Sequence, residues 1–313
     1  MAYNFINVRD INGGLAADSE KYVSECEDIY NRRLAEAAEK IYLDGRTRPL
    51  VLLSGPSGSG KTTSALRIGK RLREKGLSVH IISMDNYFLP EGMGEMPLDE
   101  NGEPDLESPL RVDIPLFTEH LEKLFRCEPI KIPKFSFRTQ SRVWGETLCR
   151  SKDEIVILEG IHALNPQVTG DTDDFTTCVY CSVRTRIVSD SGTVLHPRTI
   201  RLMRRLCRDK LFRGRSAAEV LGMLPNVTRG EDLYIMPYKG RADFDIDTFI
   251  AYEPSVYAGT LLSELEMPDS GRGDGEDRTA LLRILKELSP LPAGSVPSDS
   301  LVREFIGGSS FKY

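Results

Sequence analysis

The residues Gly55-Pro56-Ser57-Gly58-Ser59-Gly60-Lys61-Thr62 fit the pattern GxxxxGK[ST]. In such a loop the glycines let backbone N–H groups curl around phosphate oxygens, the lysine neutralises the β and γ phosphates, and the hydroxyl after it can ligate Mg2+. The bland alternative is a Gly-rich turn. Context separates the two. Leu50-Val51-Leu52-Leu53 reads as a buried strand ahead of the loop, and Thr62 and Thr63 lead into Ser64-Ala65-Leu66-Arg67-Ile68, a helical run whose positive end faces the loop. Gly55 to Thr63 are therefore expected to hold the phosphates of ATP together with Mg2+.

Two carboxylates stand just past further apolar runs: Asp85 in Ser-Met-Asp-Asn-Tyr-Phe and Glu159 in Leu-Glu-Gly-Ile-His. In an open α/β sheet the carboxyl ends of the strands border the ligand crevice, so both would share an edge with the phosphate loop. Moving a phosphoryl group to a hydroxyl needs an acid that orients the metal and a base that takes the proton, and this pair can supply both. Capping the following helix is the competing role for either.

A third group is basic: Arg201, Arg204, Arg205, Arg208, Lys210, Arg213 and Arg215, opposed only by Asp209. Positions 201, 204, 205 and 208 share a helical face, Gly214 ends that helix, and Ser216 to Glu219 starts another with a capping box. Three roles stay open: a solvated charged face, a nucleic-acid patch, and an arginine lid that closes over ATP. The phosphate loop in the same chain favours the lid, because phosphoryl transfer must exclude water.

These elements need a scaffold. Four runs, Leu50–Leu53, Val79–Ile82, Ile155–Leu158 and Cys178–Val183, read as buried parallel strands, with helices over 61–75 and 114–126 and one more strand within Phe244–Ile250. The pattern predicts an α/β fold with a doubly wound, mostly parallel sheet. Ser19 to Leu43 has helical spacing and ends at Gly45. Leu89 to Pro109 reads as a surface excursion, Pro254 to Asp277 as an acidic loop, and Thr279 to Leu288 as a helix. The expected organisation is an N-terminal helical extension over 1–48, a kinase domain over 49–252 with its lid at about 197–225, and a C-terminal extension over 253–313 packed on that domain.

Composition excludes several classes. The formal charge of −6 argues against a general nucleic-acid binder. No apolar run approaches the roughly 18 residues of a membrane helix. The start, Met-Ala-Tyr-Asn-Phe-Ile-Asn, lacks a secretory pattern, so a cytoplasmic protein is expected. Cys178 and Cys181 spell CxxC inside a strand-like run without a second pair, which reads as reduced core thiols. Histidines 80, 120, 162 and 196 lack metal spacing, and His80 reads as a core residue.

Taken together, these residues resemble the uridine kinase and phosphoribulokinase family of P-loop kinases, from about Leu50 to Phe249. The resemblance rests on the P-loop, the segment at Asp85, Pro133-Lys-Phe-Ser-Phe-Arg-Thr-Gln-Ser-Arg142, Leu158-Glu-Gly-Ile-His162 and Arg204-Arg-Leu-Cys-Arg-Asp-Lys-Leu-Phe-Arg-Gly-Arg215. Tyr234-Ile-Met-Pro-Tyr-Lys239 and the tail from Ser300 look like the long bacterial branch described as nucleoside or uridine kinases. It implies that Asp85 is the base for a sugar 5′-hydroxyl, with Lys61, Arg205 and Arg208 on the transferring phosphate. Glu159 and Thr62, with Asp85 beside them, would organise Mg2+, and Arg213 and Arg215 would belong to the lid. Glu107 would hold ribose hydroxyls in an acceptor site completed by Tyr87, Phe135, Gln140, Arg142 and Met223.

The departures fall where the base is read. Uridine kinases place tyrosine and histidine where this chain has Phe135 and Gln140, and glutamine where it has Met223. The implied activity is ATP-dependent 5′-phosphorylation of a nucleoside. Another small hydroxyl acceptor and an ATP-binding regulatory module acting on RNA remain alternatives, and self-association into a homo-oligomer stays open.

Overall fold

The computed structural model describes residues 4–266 and 275–312. Its strands are β1 (Asn4–Asn7), β2 (Leu50–Ser54), β3 (Ser78–Ser83), β4 (Ile130–Ser136), β5 (Ser141–Leu148), β6 (Glu154–Glu159), β7 (Thr176–Ser182), β8 (Thr185–Val188), β9 (Val194–Leu195) and β10 (Phe244–Asp247). Five of them form a parallel sheet in the order β10-β7-β2-β6-β3. β2, β7 and the Ile155–Leu158 run of β6 are buried throughout, so each shows continuous apolarity rather than alternation.

Helices cover both faces: α1 (Val8–Asp44), α2 (Lys61–Glu74), α3 (Ile114–Phe125), α4 (Pro166–Thr169), α5 (Pro197–Arg213), α6 (Ala217–Gly222), α7 (Leu224–Tyr234), α8 (Glu253–Glu266), α9 (Gly275–Glu287) and α10 (Arg303–Ile306). One core joins residues of α1, α2, α5, α8, α9 and α10 to one face of the sheet. A second joins α3 and the antiparallel hairpin β4–β5 to the other. Cys178 lies in the second core and Cys181 in the first, because residues three apart on a strand point to opposite faces. Both thiols are free and buried, as expected of core cysteines.

The structure corrects four readings. The helix expected from Ser19 continues N-terminally to Val8 across a break at Asp18 (φ −164, ψ 100), whose Oδ1 accepts the Lys21 N–H at 3.0 Å and so caps the second segment. Before it, β1 pairs in parallel with β8, a strand too short and polar to announce itself. Residues 254–266, expected as loop, form most of α8. Pro254 is tolerated in its first turn, and Val256, Tyr257, Leu261 and Leu265 are buried at helical spacing. The rest of that expected loop, up to 274, lies outside the described residues. His80 is half-exposed at the sheet edge, with Nε2 3.4 Å from Glu154 Oε2.

Candidate functional site

β2 ends at Ser54 and the loop 55–60 turns onto the start of α2. A Cβ on Gly55 would stand 2.1 Å from the Cys181 carbonyl oxygen. Gly60 has φ +81, and a Cβ there would stand 2.4 Å from Leu301 Cδ1. Only glycine fits either place. The Ser57 and Gly58 carbonyls accept from Arg201 at 3.2 Å and Arg204 at 3.1 Å, so α5 braces the loop. Lys61 Nζ folds back to the Pro56 carbonyl at 3.3 Å and pairs with no carboxylate among the described residues.

The sheet register brings the two carboxylates to this edge. Glu159, the last residue of β6, lies opposite Leu53 of β2 on one side and Ser83 of β3 on the other. Thr62 Oγ1 donates to Glu159 Oε1 at 3.4 Å. Burial pushes the Glu159 carboxyl up to about 7, with Lys61 opposing the shift and Asp85 reinforcing it. After β3 the chain makes a single 3-10 turn, Met84–Tyr87, in which Ser83 Oγ accepts the Asp85 N–H at 3.4 Å. The Asp85 side chain is exposed at the mouth of the site, and desolvation by the neighbouring protein raises its pKa against the pull of Lys61, Arg213, Arg208 and Arg111.

Among the described residues no three His, Cys, Asp or Glu side chains converge as a metal site. The adjacent Thr62 hydroxyl and Glu159 carboxylate still suit Mg2+, which takes one or two protein oxygens and completes its octahedron with water and phosphate. When bound, the ion would neutralise charge on the phosphates.

The arginine helix divides in two. Arg201 pairs with Glu231 at 2.7 Å, and Arg204, fully buried, pairs with Glu253 at 2.7 Å. These two shape the protein. Arg208, Arg213 and Arg215 instead gather on Asp209 at 2.8, 3.2 and 3.3 Å. Burial would raise the Asp209 carboxyl, but the arginines outweigh it and hold the group below its ordinary value. Arg205 has no such partner: it is 4% exposed, makes no ion pair or hydrogen bond among the described residues, and burial drives its pKa down to about 10. α5 is buried from Ile200 to Asp209 apart from a partly exposed Arg208, and exposed from Lys210 to its end, so the accessible part of the expected lid starts there. Little of the basic stretch is left as a free nucleic-acid surface.

The expected acceptor residues separate as well. Glu107 lies close against Gly230, where a Cβ would come within 2.2 Å of its own Cβ. Burial raises its carboxyl, while Arg205 and Lys61 lower it and Asp105 and Asp85 add to the rise. Phe135 is half-buried on the hairpin. Its N–H donates to Asn86 Oδ1 at 3.3 Å, and its ring meets Phe88 and Phe137 edge-on. Met223 is half-buried at the junction of α6 and α7. Tyr87 points elsewhere: it is fully buried and bonded to His120 Nδ1 at 2.8 Å, because its position in the 3-10 turn faces the second core. Arg142 is engaged with Asp113 at 2.7 Å, and Gln140 donates to the Phe137 carbonyl at 2.7 Å with a left-handed backbone (φ +46). Arg111 and Gly230 carry no signal in the sequence, since each is defined by a contact distant along the chain or by a neighbour's need for space, whereas Asp209 is visible there as the one acid among the arginines.

Comparison with known proteins decides the family. The sequence profile of the phosphoribulokinase / uridine kinase family matches residues 50–251. The chain belongs to that family. Two curated relatives are uridine kinases. That of Bacillus pumilus is 31% identical over 64% of this chain and 87% of its own, and that of Staphylococcus epidermidis is 29% identical over 63% and 86%. A structure from Silicibacter sp. TM1040, described as a candidate fructose transport system kinase, matches with a TM-score of 0.50 at 21% identity. It covers 68% of this chain and 98% of its own, and it supports the fold alone. The protein is thus a P-loop phosphotransferase acting on a hydroxyl acceptor. No helix among the described residues is long and apolar enough to cross a membrane.

Proposed function

We propose that this kinase transfers the γ-phosphoryl group of ATP to the 5′-hydroxyl of a nucleoside. One observation carries the reading: the sheet register sets Glu159 and Ser83, two residues before Asp85, at the edge where Thr62 opens α2 with its hydroxyl 3.4 Å from Glu159, and the charges of Arg205, Lys61 and Asp85 all act on the Glu107 carboxyl. Among the described residues neither Lys61 nor Arg205 makes an ion pair, so both are available to a bound phosphate. Asp85 takes the hydroxyl proton, and desolvation shifts its pKa upward, the direction that strengthens a carboxylate as a base. The freed oxygen bonds to the γ phosphorus, the bond to the β–γ bridging oxygen breaks, and ADP leaves. Glu159 and Thr62 hold Mg2+, Arg208 meets the transferring group, and Arg213 and Arg215 close over ATP. Glu107 holds the ribose hydroxyls, and Phe135, Gln140 and Met223 face the base. Arg142 acts indirectly, by fixing Asp113 at the start of α3.

A second reading within the family is a non-nucleoside hydroxyl acceptor. It is favoured by Gln140, whose amide N–H is bound within its own turn rather than offered to a base. Release of ADP measured against a panel of nucleosides, sugar phosphates, glycerate and pantothenate separates the two. Turnover with nucleosides supports the first reading, and turnover confined to the other compounds replaces it with the second.

A further inference from the structure

The segment from Leu301 to Glu304 lies against the phosphate loop and the first turn of α2. Leu301 fills the space beside Gly60, and α10 packs on α5, with the Arg204 guanidinium 5.2 Å from the centre of the Phe305 ring. Arg303 knits this strap together through the carbonyls of Ala293, Val296, Pro297 and Gly307. Ser300 ties it to Tyr252 at 2.9 Å. The strap thereby presents one side chain to α2. Glu304 Oε2 accepts the Thr63 backbone N–H at 3.2 Å and the Thr63 hydroxyl at 2.6 Å.

First-turn N–H groups of a helix have no partner within the helix, and in a phosphate loop they are donors for the α and β phosphates. Glu304 therefore holds, with an anionic oxygen, a donor that the nucleotide needs. Carboxylate and phosphate compete for it in two ways: one N–H cannot serve both well, and the two negative charges repel at such range. The contact spans 241 positions of sequence, so the fold, not local geometry, delivers the carboxylate.

We propose that the C-terminal strap, residues 298–310, is an intramolecular competitor of the nucleotide. Glu304 occupies the Thr63 donor in the resting enzyme and leaves it when the α phosphate enters. The inference rests on the reading that ATP binds at the P-loop. It makes the strap a gate on the donor side and leaves the acceptor side untouched.

Calorimetric titration of the full chain with Mg–ADP tests this. Glu304→Gln keeps the shape and removes the charge. It should bind Mg–ADP about 5-fold to 150-fold more tightly than the unmodified chain, the span of an ordinary coupling between sites. Hydrogen exchange on the unmodified chain gives a second measurement that depends on no variant, and amides of 298–310 should exchange faster when Mg–ADP is added. Equal or weaker binding by the glutamine variant, with its melting temperature retained, overturns the proposal. So does slower exchange in the strap, which would make it a fixed wall of the nucleotide site. Failure of both chains to bind Mg–ADP removes the P-loop reading itself, a result distinct from either of the others.

Discussion

Arg204 and Glu253 meet as a two-pronged pair, Nε to Oε2 at 2.7 Å and Nη2 to Oε1 at 2.8 Å, with neither side chain exposed. Glu253 opens α8, and Arg204 also donates to the Gly58 carbonyl, so one guanidinium ties the C-terminal helices to the phosphate loop. Replacing Arg204 with methionine keeps bulk but leaves Glu253 buried and unpaired. A loss of about 3–5 kcal/mol in urea unfolding is expected, together with weaker nucleotide binding because the loop loses its brace. A loss below about 1 kcal/mol would mean that water replaces the pair easily.

Asp85 is proposed as the base, and its replacement separates chemistry from binding. Asp85→Asn should lower kcat by about a hundredfold to ten-thousandfold while Mg–ADP affinity stays within about threefold, since Lys61 and the loop amides are untouched. Steady-state rates beside calorimetry read both quantities. Retained turnover would dismiss Asp85 from proton transfer.

Glu159 couples stability to pH. Its folded pKa of about 7 lies above the ordinary 4.5, so its contribution is fully present at low pH and is lost as pH rises from about 4.5 through 7. Asp85 and Glu107 are raised as well and act in the same direction. Glu159→Gln abolishes the charge that burial disfavours. The nucleotide-free variant should be more stable than the unmodified protein at pH 8 by about 3 kcal/mol, and the two should converge near pH 4. Activity should run the opposite way, rising through pH 7 in the unmodified enzyme and nearly absent in the variant. Melting curves from pH 4 to 8 check the first, and initial rates at saturating Mg2+ check the second.

Arg205 is a buried cation that makes no ion pair among the described residues, with Asp209 and Glu107 acting on it only at longer range. Arg205→Met should raise the melting temperature of the nucleotide-free protein, by relieving an uncompensated charge, and lower kcat by about a thousandfold or more, the scale of an arginine that stabilises phosphoryl transfer. A destabilised variant would show that the charge is satisfied in the folded state by groups other than ion pairs.

The hairpin carries the acceptor preference. Phe135→Tyr with Gln140→His places on this backbone the two residues that uridine kinases use. Histidine tolerates the left-handed conformation at position 140 better than a β-branched residue would. The double variant should gain about tenfold or more in kcat/KM for uridine over the unmodified chain. An unchanged ratio among nucleosides would move base reading away from β4–β5.

The phosphate loop, Asp85 and Glu159 were legible because each is a local signal. A spelled loop needs only its flanking strand and helix, and a carboxylate just past an apolar run stands at the sheet edge wherever the strands are parallel. The arginine helix shows the limit. Positions 201, 204, 205 and 208 share a face by spacing, yet Arg201 and Arg204 complete buried pairs while Arg205 makes no ion pair among the described residues. A helix packed on several sides has neighbours that its own periodicity does not name. Tyr87 shows the same for direction, since a single 3-10 turn sends adjacent side chains to the core and to the cleft.

The amino-acid sequence by itself determined the donor chemistry, the parallel sheet and the family, because glycine placement, apolar runs and strand-end carboxylates act over a few residues. Only the tertiary structure decided that Arg201 and Arg204 are consumed in buried pairs with Glu231 and Glu253, and that Glu304 rests on Thr63. Those are contacts between segments brought together by packing, and the energy of a charge depends on the dielectric and partners that packing supplies.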